Sequence, residues 1–147
     1  MKISTRAQYG LRVLVHLAAH YGKGVVLLKD IARREELPER YLENLMTPLR
    51  AAGVVKTSRG ARGGFALAKR PWEVRLSQVV ELLEGPIAPV RCVDDPRECS
   101  RSVVCVTRDV WTRVKEAIFH VLDSLTLQDL ARMQQEKTRT GPSMYQI

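Results

Sequence analysis

The chain has 147 residues and a formal net charge of +8, a length that suits one domain with an appendage. The first residues lead directly into an amphipathic pattern and no apolar run reaches membrane-spanning length, so we expect neither a signal peptide nor a transmembrane segment, and a cytoplasmic protein. Residues 1–70 hold 14 Lys and Arg against 5 Asp and Glu, whereas residues 71–147 hold the remaining 10 against 11. This asymmetry favours a nucleic-acid partner for the first half over a basic surface that only keeps the chain soluble.

The first predicted helix starts at Ser4, a plausible N-cap, and ends at Gly22. It carries His16 and His20 four residues apart, a spacing that can bind metal. Because no cysteine or acidic residue accompanies them, we interpret both as ordinary helix-surface residues. A short β-favouring run, residues 25–27, follows the helix.

Two further helices predict a helix-turn-helix. The first covers residues 29–35, and the second follows Pro38, with Pro48 expected to kink or interrupt it near Thr47. Leu42, Leu45, Met46 and Leu49 mark the buried face of the second helix. Its outer face is either solvated or presented to the major groove, where Arg pairs with guanine and Asn with adenine. The candidate DNA-contacting residues on this face are Arg40, Tyr41, Glu43, Asn44 and Arg50.

A β-hairpin with a basic tip is predicted next, from strand-like runs at residues 54–58 and 65–68. The six residues between them include three glycines together with Arg59 and Arg62. No Lys-Ser or Lys-Thr helix follows, which argues against a nucleotide-binding loop. A hairpin after a helix-turn-helix makes a winged helix, whose arginines contact the DNA backbone or the minor groove.

All three cysteines lie in one aperiodic loop that follows a predicted helix at residues 76–84. Cys92, Cys99 and Cys105 have the spacing C-x6-C-x5-C, and an odd number of clustered cysteines is a poor disulfide framework. Thiolates prefer soft metals, so zinc and an iron-sulfur cluster both remain open. Three unrelated thiols are the alternative.

A long amphipathic helix is predicted from about Thr107 to Leu125, with apolar residues at intervals of three and four. A two-fold partner is the simplest cover for its apolar stripe. Thr126 and Asp129 resemble a capping box that starts a terminal helix. We therefore predict a mainly α protein with a small β-hairpin wing: a winged helix-turn-helix domain at residues 1–85, a cysteine loop at 86–106, dimerisation and terminal helices at 107–135, and a disordered tail at 136–147. The sequence shows neither a nucleophile near a base nor paired carboxylates, so we do not predict an enzyme.

Four segments together resemble the Rrf2 family of bacterial winged-helix transcriptional regulators, over nearly the whole chain. They are Lys2–Leu11, Tyr41–Glu43, Leu49–Gly64 and Leu83–Val90. The resemblance implies a homodimer, crossed by the long helix, that binds palindromic operator DNA and acts as a repressor.

Within the family, the three cysteines and the segment Thr107–Trp111 resemble the cluster-binding subgroup. The resemblance implies that Cys92, Cys99 and Cys105 ligate a 2Fe-2S or 4Fe-4S cluster that senses iron-sulfur, redox or nitric oxide status. The fourth ligand does not carry over, because Arg108 stands where IscR-like members have His, and Gln8 lies where some NsrR-like members have an acid. The alternative is a clusterless, CymR-like regulator controlled by thiol oxidation or by a partner enzyme.

Overall fold

The computed structural model describes residues 1–141, which form seven α-helices and one antiparallel hairpin. Two short 3-10 turns lie at Pro71–Glu73 and Pro96–Glu98. In chain order the elements are α1 (Thr5–Ala19), α2 (Leu28–Glu35), α3 (Glu39–Ala51), β1 (Val55–Ser58), β2 (Gly64–Leu67), α4 (Leu76–Glu84), α5 (Arg91–Asp94), α6 (Val106–Asp123) and α7 (Leu127–Thr140). The predicted fold class, mainly α with a hairpin wing, is confirmed.

The amino-terminal helix begins where its sequence predicts. The Ser4 hydroxyl accepts a hydrogen bond from the backbone N–H of Ala7 at 3.1 Å, as an N-cap does. The same hydroxyl donates to Glu84 Oε2 at 2.6 Å, and the Ser4 backbone N–H donates to that oxygen at 2.9 Å. One carboxylate therefore joins the start of α1 to the end of α4.

His16 is not a surface residue, and that prediction is wrong. Only 6% of its surface is exposed, and its Nδ1 lies 3.8 Å from Oε1 of the buried Glu35 on α2. Its ring stacks on His20 with centroids 4.8 Å apart. Both α2 and α7 pack on α1, so a polar side chain on the face that they cover becomes buried.

Pro48 does not interrupt α3, which continues to Ala51. Proline removes one helical hydrogen bond, and Thr47 Oγ1 donates to the Glu43 carbonyl at 3.0 Å in the adjacent turn. Leu45, Met46 and Leu49 are buried on both sides of the proline. Core packing on either side thus keeps the helix continuous.

The hairpin pairs Val55 with Leu67 and Ser58 with Gly64, within one residue of the predicted strands. The predicted β-favouring run at residues 25–27 forms a single bridge, in which Val26 and Phe65 exchange two backbone hydrogen bonds of 2.8 Å. This bridge anchors the base of the hairpin to the segment before α2.

The terminal helix α7 packs on α1, and Leu127 is fully buried in the core that also contains Leu14 and Leu42. The link is reinforced by backbone bonds from Leu76 N–H to the Leu125 carbonyl and from Leu127 N–H to the Val74 carbonyl, each 3.0 Å. The sequence placed α7 in a segment separate from residues 1–85, whereas its packing joins it to them.

Helix α7 also extends to Thr140, so residues 136–140 of the predicted disordered tail are helical. Residues 142–147, the rest of that predicted tail, lie outside the described residues. None of the helices within residues 1–141 combines the length and the apolar character needed to cross a membrane.

Candidate DNA-binding surface and cysteine segment

The outer face of α3 presents polar side chains to solvent. Four of the five candidates on this helix are exposed, while Leu42, Leu45, Met46 and Leu49 hold its other face in the core. An exposed helix face with acceptors and donors of several kinds can read base edges in the major groove. The exposed four are Arg40, Glu43, Asn44 and Arg50.

Tyr41 differs from the other candidates because it is only half exposed. Its ring meets the Tyr9 ring edge to face, with centroids 6.2 Å apart, and it packs against the core. Tyr41 therefore joins α3 to α1 and keeps only part of its side chain exposed.

The wing places its arginines at an exposed tip. Arg59 and Arg62 lie in the turn that connects β1 to β2, where Gly63 N–H donates to the Gly60 carbonyl at 2.9 Å. A side chain at Gly64 would put its Cβ 2.2 Å from the Val26 carbonyl oxygen, so only glycine fits at the base of the tip. The close approach holds the base of the hairpin against the segment before α2.

The cations of this surface are not engaged elsewhere. Within residues 1–141, none of the arginines at positions 40, 50, 59 and 62 forms an ion pair. The same holds for two exposed lysines that the sequence pattern did not single out, Lys56 on β1 and Lys69 after β2. Their positions in and beside the predicted hairpin could have identified them as candidate DNA contacts. Unpaired cations along a helix and a wing suit the phosphates of DNA.

The cysteine segment is more ordered than a loop. It contains α5 and a 3-10 turn, and two contacts tie it to α6. Arg108 Nε donates to the Cys92 carbonyl at 2.8 Å, and Lys115 forms an ion pair with Asp94. Asp95 is bound by Arg97 at 2.8 Å. The Arg108 side chain thus holds the backbone of the segment.

All three cysteines are free thiols of intermediate exposure. Cys105 precedes α6, and its Sγ lies 3.1 Å from the Thr107 hydroxyl. This hydrogen bond, supported by the backbone N–H groups of Arg108 and Thr107, holds the pKa of Cys105 below its ordinary value. A lowered pKa favours the thiolate, which is the reactive form of cysteine and the form that binds metal.

The side chains in this segment do not form a ready metal site. Across residues 1–141, no group of three His, Cys, Asp or Glu side chains is placed so that it could hold a metal ion. The carboxylates of Asp94 and Asp95 are engaged by Lys115 and Arg97. The segment in this conformation therefore does not fit a single-ion site such as structural zinc, although its three thiols are chemically suited to iron or zinc.

Comparison with known proteins identifies relatives over most of the chain. The family model Rrf2, described as an iron-dependent transcriptional regulator, matches residues 3–133. The HTH-type transcriptional regulator CymR of Bacillus subtilis is 44% identical over 131 residues, which cover 89% of this chain and 90% of that protein.

Solved structures agree in fold. The structure of CymR, the global cysteine regulator of B. subtilis, matches with a TM-score of 0.77 at 42% identity, over 90% of this chain and 98% of that one. The structure of IscR from T. potens matches with a TM-score of 0.76 at 40% identity, over 92% of this chain and 90% of that one. The exposed α3 and wing thus belong to an architecture shared with transcriptional regulators.

Proposed function

Because the chain belongs to the Rrf2 family of transcriptional regulators, we propose that it represses transcription in the cytoplasm of a bacterium by binding palindromic operator DNA as a homodimer. The observation that carries this function is the exposed face of α3 beside a wing whose arginines have no internal partner among the described residues. Helix α3 enters the major groove, and the wing follows the backbone.

The dimer is supported by α6. Val106, Val110 and Val121 are 75%, 54% and 58% exposed, and together with Ala117 they recur at intervals of four, seven and four residues. This is the spacing of a helix that packs along another helix. Two copies that pair through this stripe present two α3 helices, which matches two half-sites of a palindrome.

We assign the control of DNA binding to the cysteine segment. The first candidate mechanism is oxidation of its thiols. The segment lacks a ready single-ion site among the described residues, the lowered pKa of Cys105 increases its share of thiolate, and the structure of a relative, CymR of Staphylococcus aureus, has been solved in an oxidized form. With hydrogen peroxide as oxidant, two thiols become one disulfide and the peroxide is reduced to two waters. A disulfide within the segment would pull on α6 through Arg108 and Lys115.

A cluster is the second candidate, because three thiols within 14 residues and the family description as iron-dependent both favour it. Cys92, Cys99 and Cys105 would be the ligands, and the cluster would supply redox or nitric-oxide sensitivity. The T. potens relative carries the name IscR, the type of cluster regulator that the sequence resembles. Binding would require the segment to rearrange.

The two candidates are separated by protein purified without oxygen. Visible absorption, with iron and acid-labile sulfide assays, detects a cluster, and a colour lost in Cys92→Ala, Cys99→Ala and Cys105→Ala supports it. Colourless protein whose operator affinity changes with peroxide, but not in Cys105→Ser, supports the thiol switch. Colourless protein that ignores peroxide favours a partner enzyme.

The DNA-binding function itself is tested by selecting duplexes from a random pool with the reduced protein. Enrichment of a palindrome with half-sites about one helical turn apart supports the proposal. A pool that never converges at physiological salt contradicts it.

A further inference from the structure

A second polar site lies away from the cysteine segment, between α1, α2 and α7. The three helices and the loop after α1 line an open cavity of about 430 Å³. This volume falls within the range of about 300–1,000 Å³ that small-molecule sites occupy. The DNA-binding surface and the cysteines do not line it.

The walls of this cavity are positively charged. Lys23, Arg34 and Arg132 contribute to them, one from the loop after α1 and one each from α2 and α7. Among the described lining residues there is no Asp or Glu, and three glutamine side chains add amide groups. Arg132 contacts Asp129 at 3.3 Å, whereas Lys23 and Arg34 form no ion pair within residues 1–141. Like charges held together are stabilised by a bound anion.

A buried polar side chain also lines the cavity. His16 is 6% exposed. Its Nδ1 lies 3.8 Å from Glu35 Oε1, beyond hydrogen-bond distance, and has no hydrogen-bond partner in the described part of the chain. Burial, followed by the positive charges of His20 and Arg34, holds the pKa of His16 below its ordinary value, against an opposing effect of Glu35. The Glu35 charge is itself paired with Arg12 at 2.9 Å. A buried polar group without a partner is costly and commonly marks a missing ligand, ion or water.

We propose that this cavity binds a small oxyanion, a carboxylate or a phosphate, held by Lys23, Arg34 and Arg132 against His16 and His20. Guanidinium groups bind both oxyanions through paired hydrogen bonds, and the glutamine amides donate the remaining ones. A bound anion would also offset the electrostatic repulsion between the cationic side chains of the cavity and the two histidine rings when these are protonated. The site stands apart from the proposed DNA binding, so either can fail without the other.

The three histidines of the chain make a direct test available, because His16 and His20 line the cavity and His120 lies on α6. The imidazole ¹⁵N and ¹H signals of the full-length protein are followed by NMR at constant pH. Inorganic phosphate and succinate are titrated separately, against sodium chloride of equal ionic strength. The signals of His16 and His20 should shift and saturate with at least one of the two anions, while those of His120 stay in place.

A matched pair of variants locates the site. Arg34→Gln removes a wall cation and should weaken binding about tenfold or more. Arg33→Gln, at the next position of α2 and likewise exposed but outside the cavity, should leave binding unchanged. If phosphate binds more tightly than succinate, the ligand is a phosphorylated compound. If succinate binds more tightly, the ligand is a carboxylic acid. Signals that do not move, that move linearly with ionic strength, or that shift equally in both variants would overturn the proposal.

Discussion

Two residues on the proposed DNA-binding surface carry opposite charges, so we expect them to contribute differently to binding. Glu43 is exposed on α3 although an acid repels phosphate, so it is useful there only if it discriminates between bases. Arg59 is exposed at the wing tip without an internal partner among the described residues, where it can meet phosphate or the minor groove.

Glu43→Ala should relax sequence choice more than it lowers affinity. Removing the acceptor costs about 1–3 kcal/mol of discrimination at one base pair, while the loss of a negative charge favours DNA in general. Competition binding with single-base variants of the selected operator measures this. An equal loss of affinity for every sequence would contradict a base-reading role.

Arg59→Ala should weaken binding to all sequences, by about tenfold, which is about 1.4 kcal/mol. The slope of log affinity against log salt concentration should also fall by about one, because one fewer phosphate is neutralised. Fluorescence anisotropy at several salt concentrations gives both values. Unchanged affinity at physiological salt would remove Arg59 from the interface.

His16 should make stability depend on pH. Because its pKa in the folded chain lies below the ordinary value of 6.5, the unfolded chain binds the proton more readily. The stabilisation that His16 contributes is present above about pH 6.5 and is lost as the pH falls through the folded-state pKa. Urea midpoints should therefore fall more steeply from about pH 7.5 to about 5.5 in the wild type than in His16→Gln. His120→Gln, on the exposed side of α6, is the control, and equal slopes in wild type and His16→Gln would refute the assignment.

At the scale of elements, the wing depends on one close approach of two backbones. Gly64 pairs with Ser58 across the hairpin, and a Cβ there would meet the Val26 carbonyl oxygen at 2.2 Å. The clash is with backbone rather than with a movable side chain, so the Val26–Phe65 bridge would have to open. The wing is thus held both by the packing of β1 on α3 and by a contact with the segment before α2.

Gly64→Ala should destabilise the protein by about 1–3 kcal/mol, the usual cost of overpacking. It should also lower operator affinity, because the displaced wing no longer follows the backbone that α3 approaches. Thermal unfolding and anisotropy measure the two effects. Ser58→Ala, at the exposed cross-strand partner, is the control. A melting temperature equal to that of the wild type for Gly64→Ala would show that the Val26–Phe65 bridge does not stabilise the protein.

At the scale of the whole molecule, a single chain leaves one apolar side of α6 uncovered. None of its 18 residues is buried, although one side packs on α4. The exposed valines at positions 106, 110 and 121 form a second side that an isolated chain would leave in water. Burial of such a stripe against a second copy is favourable by about 25 cal/mol for each Å² of apolar surface.

Val110→Glu should convert the proposed dimer into monomers, because it places a charge in the middle of the stripe. Operator affinity should fall about 100-fold or more, since two linked half-site contacts become independent. Light scattering after gel filtration measures the mass. Phe119→Glu introduces the same charge at an exposed apolar residue on another side of α6 and should remain dimeric. If Val110→Glu and Phe119→Glu have the same mass in solution, the valine side of α6 is not the dimer interface.

The sequence by itself determined the local elements and the family. Helix caps such as Ser4 and the Thr126–Asp129 box depend on residues within one turn, so they could be predicted and are confirmed. The hairpin strands were predicted within one residue, because alternation and glycine act locally. Four segments together were specific enough for the Rrf2 family, whose model matches residues 3–133.

Only the tertiary structure decided what distant residues do to one another. The continuity of α3 through Pro48, the burial of His16 and the joining of α7 to the amino-terminal core all depend on packing between separate elements. The ties from Arg108 and Lys115 to the cysteine segment likewise cross 16 and 21 residues of sequence. Local patterns carry no information about such contacts, because the free energy that selects them comes from surfaces that meet only when the chain has folded.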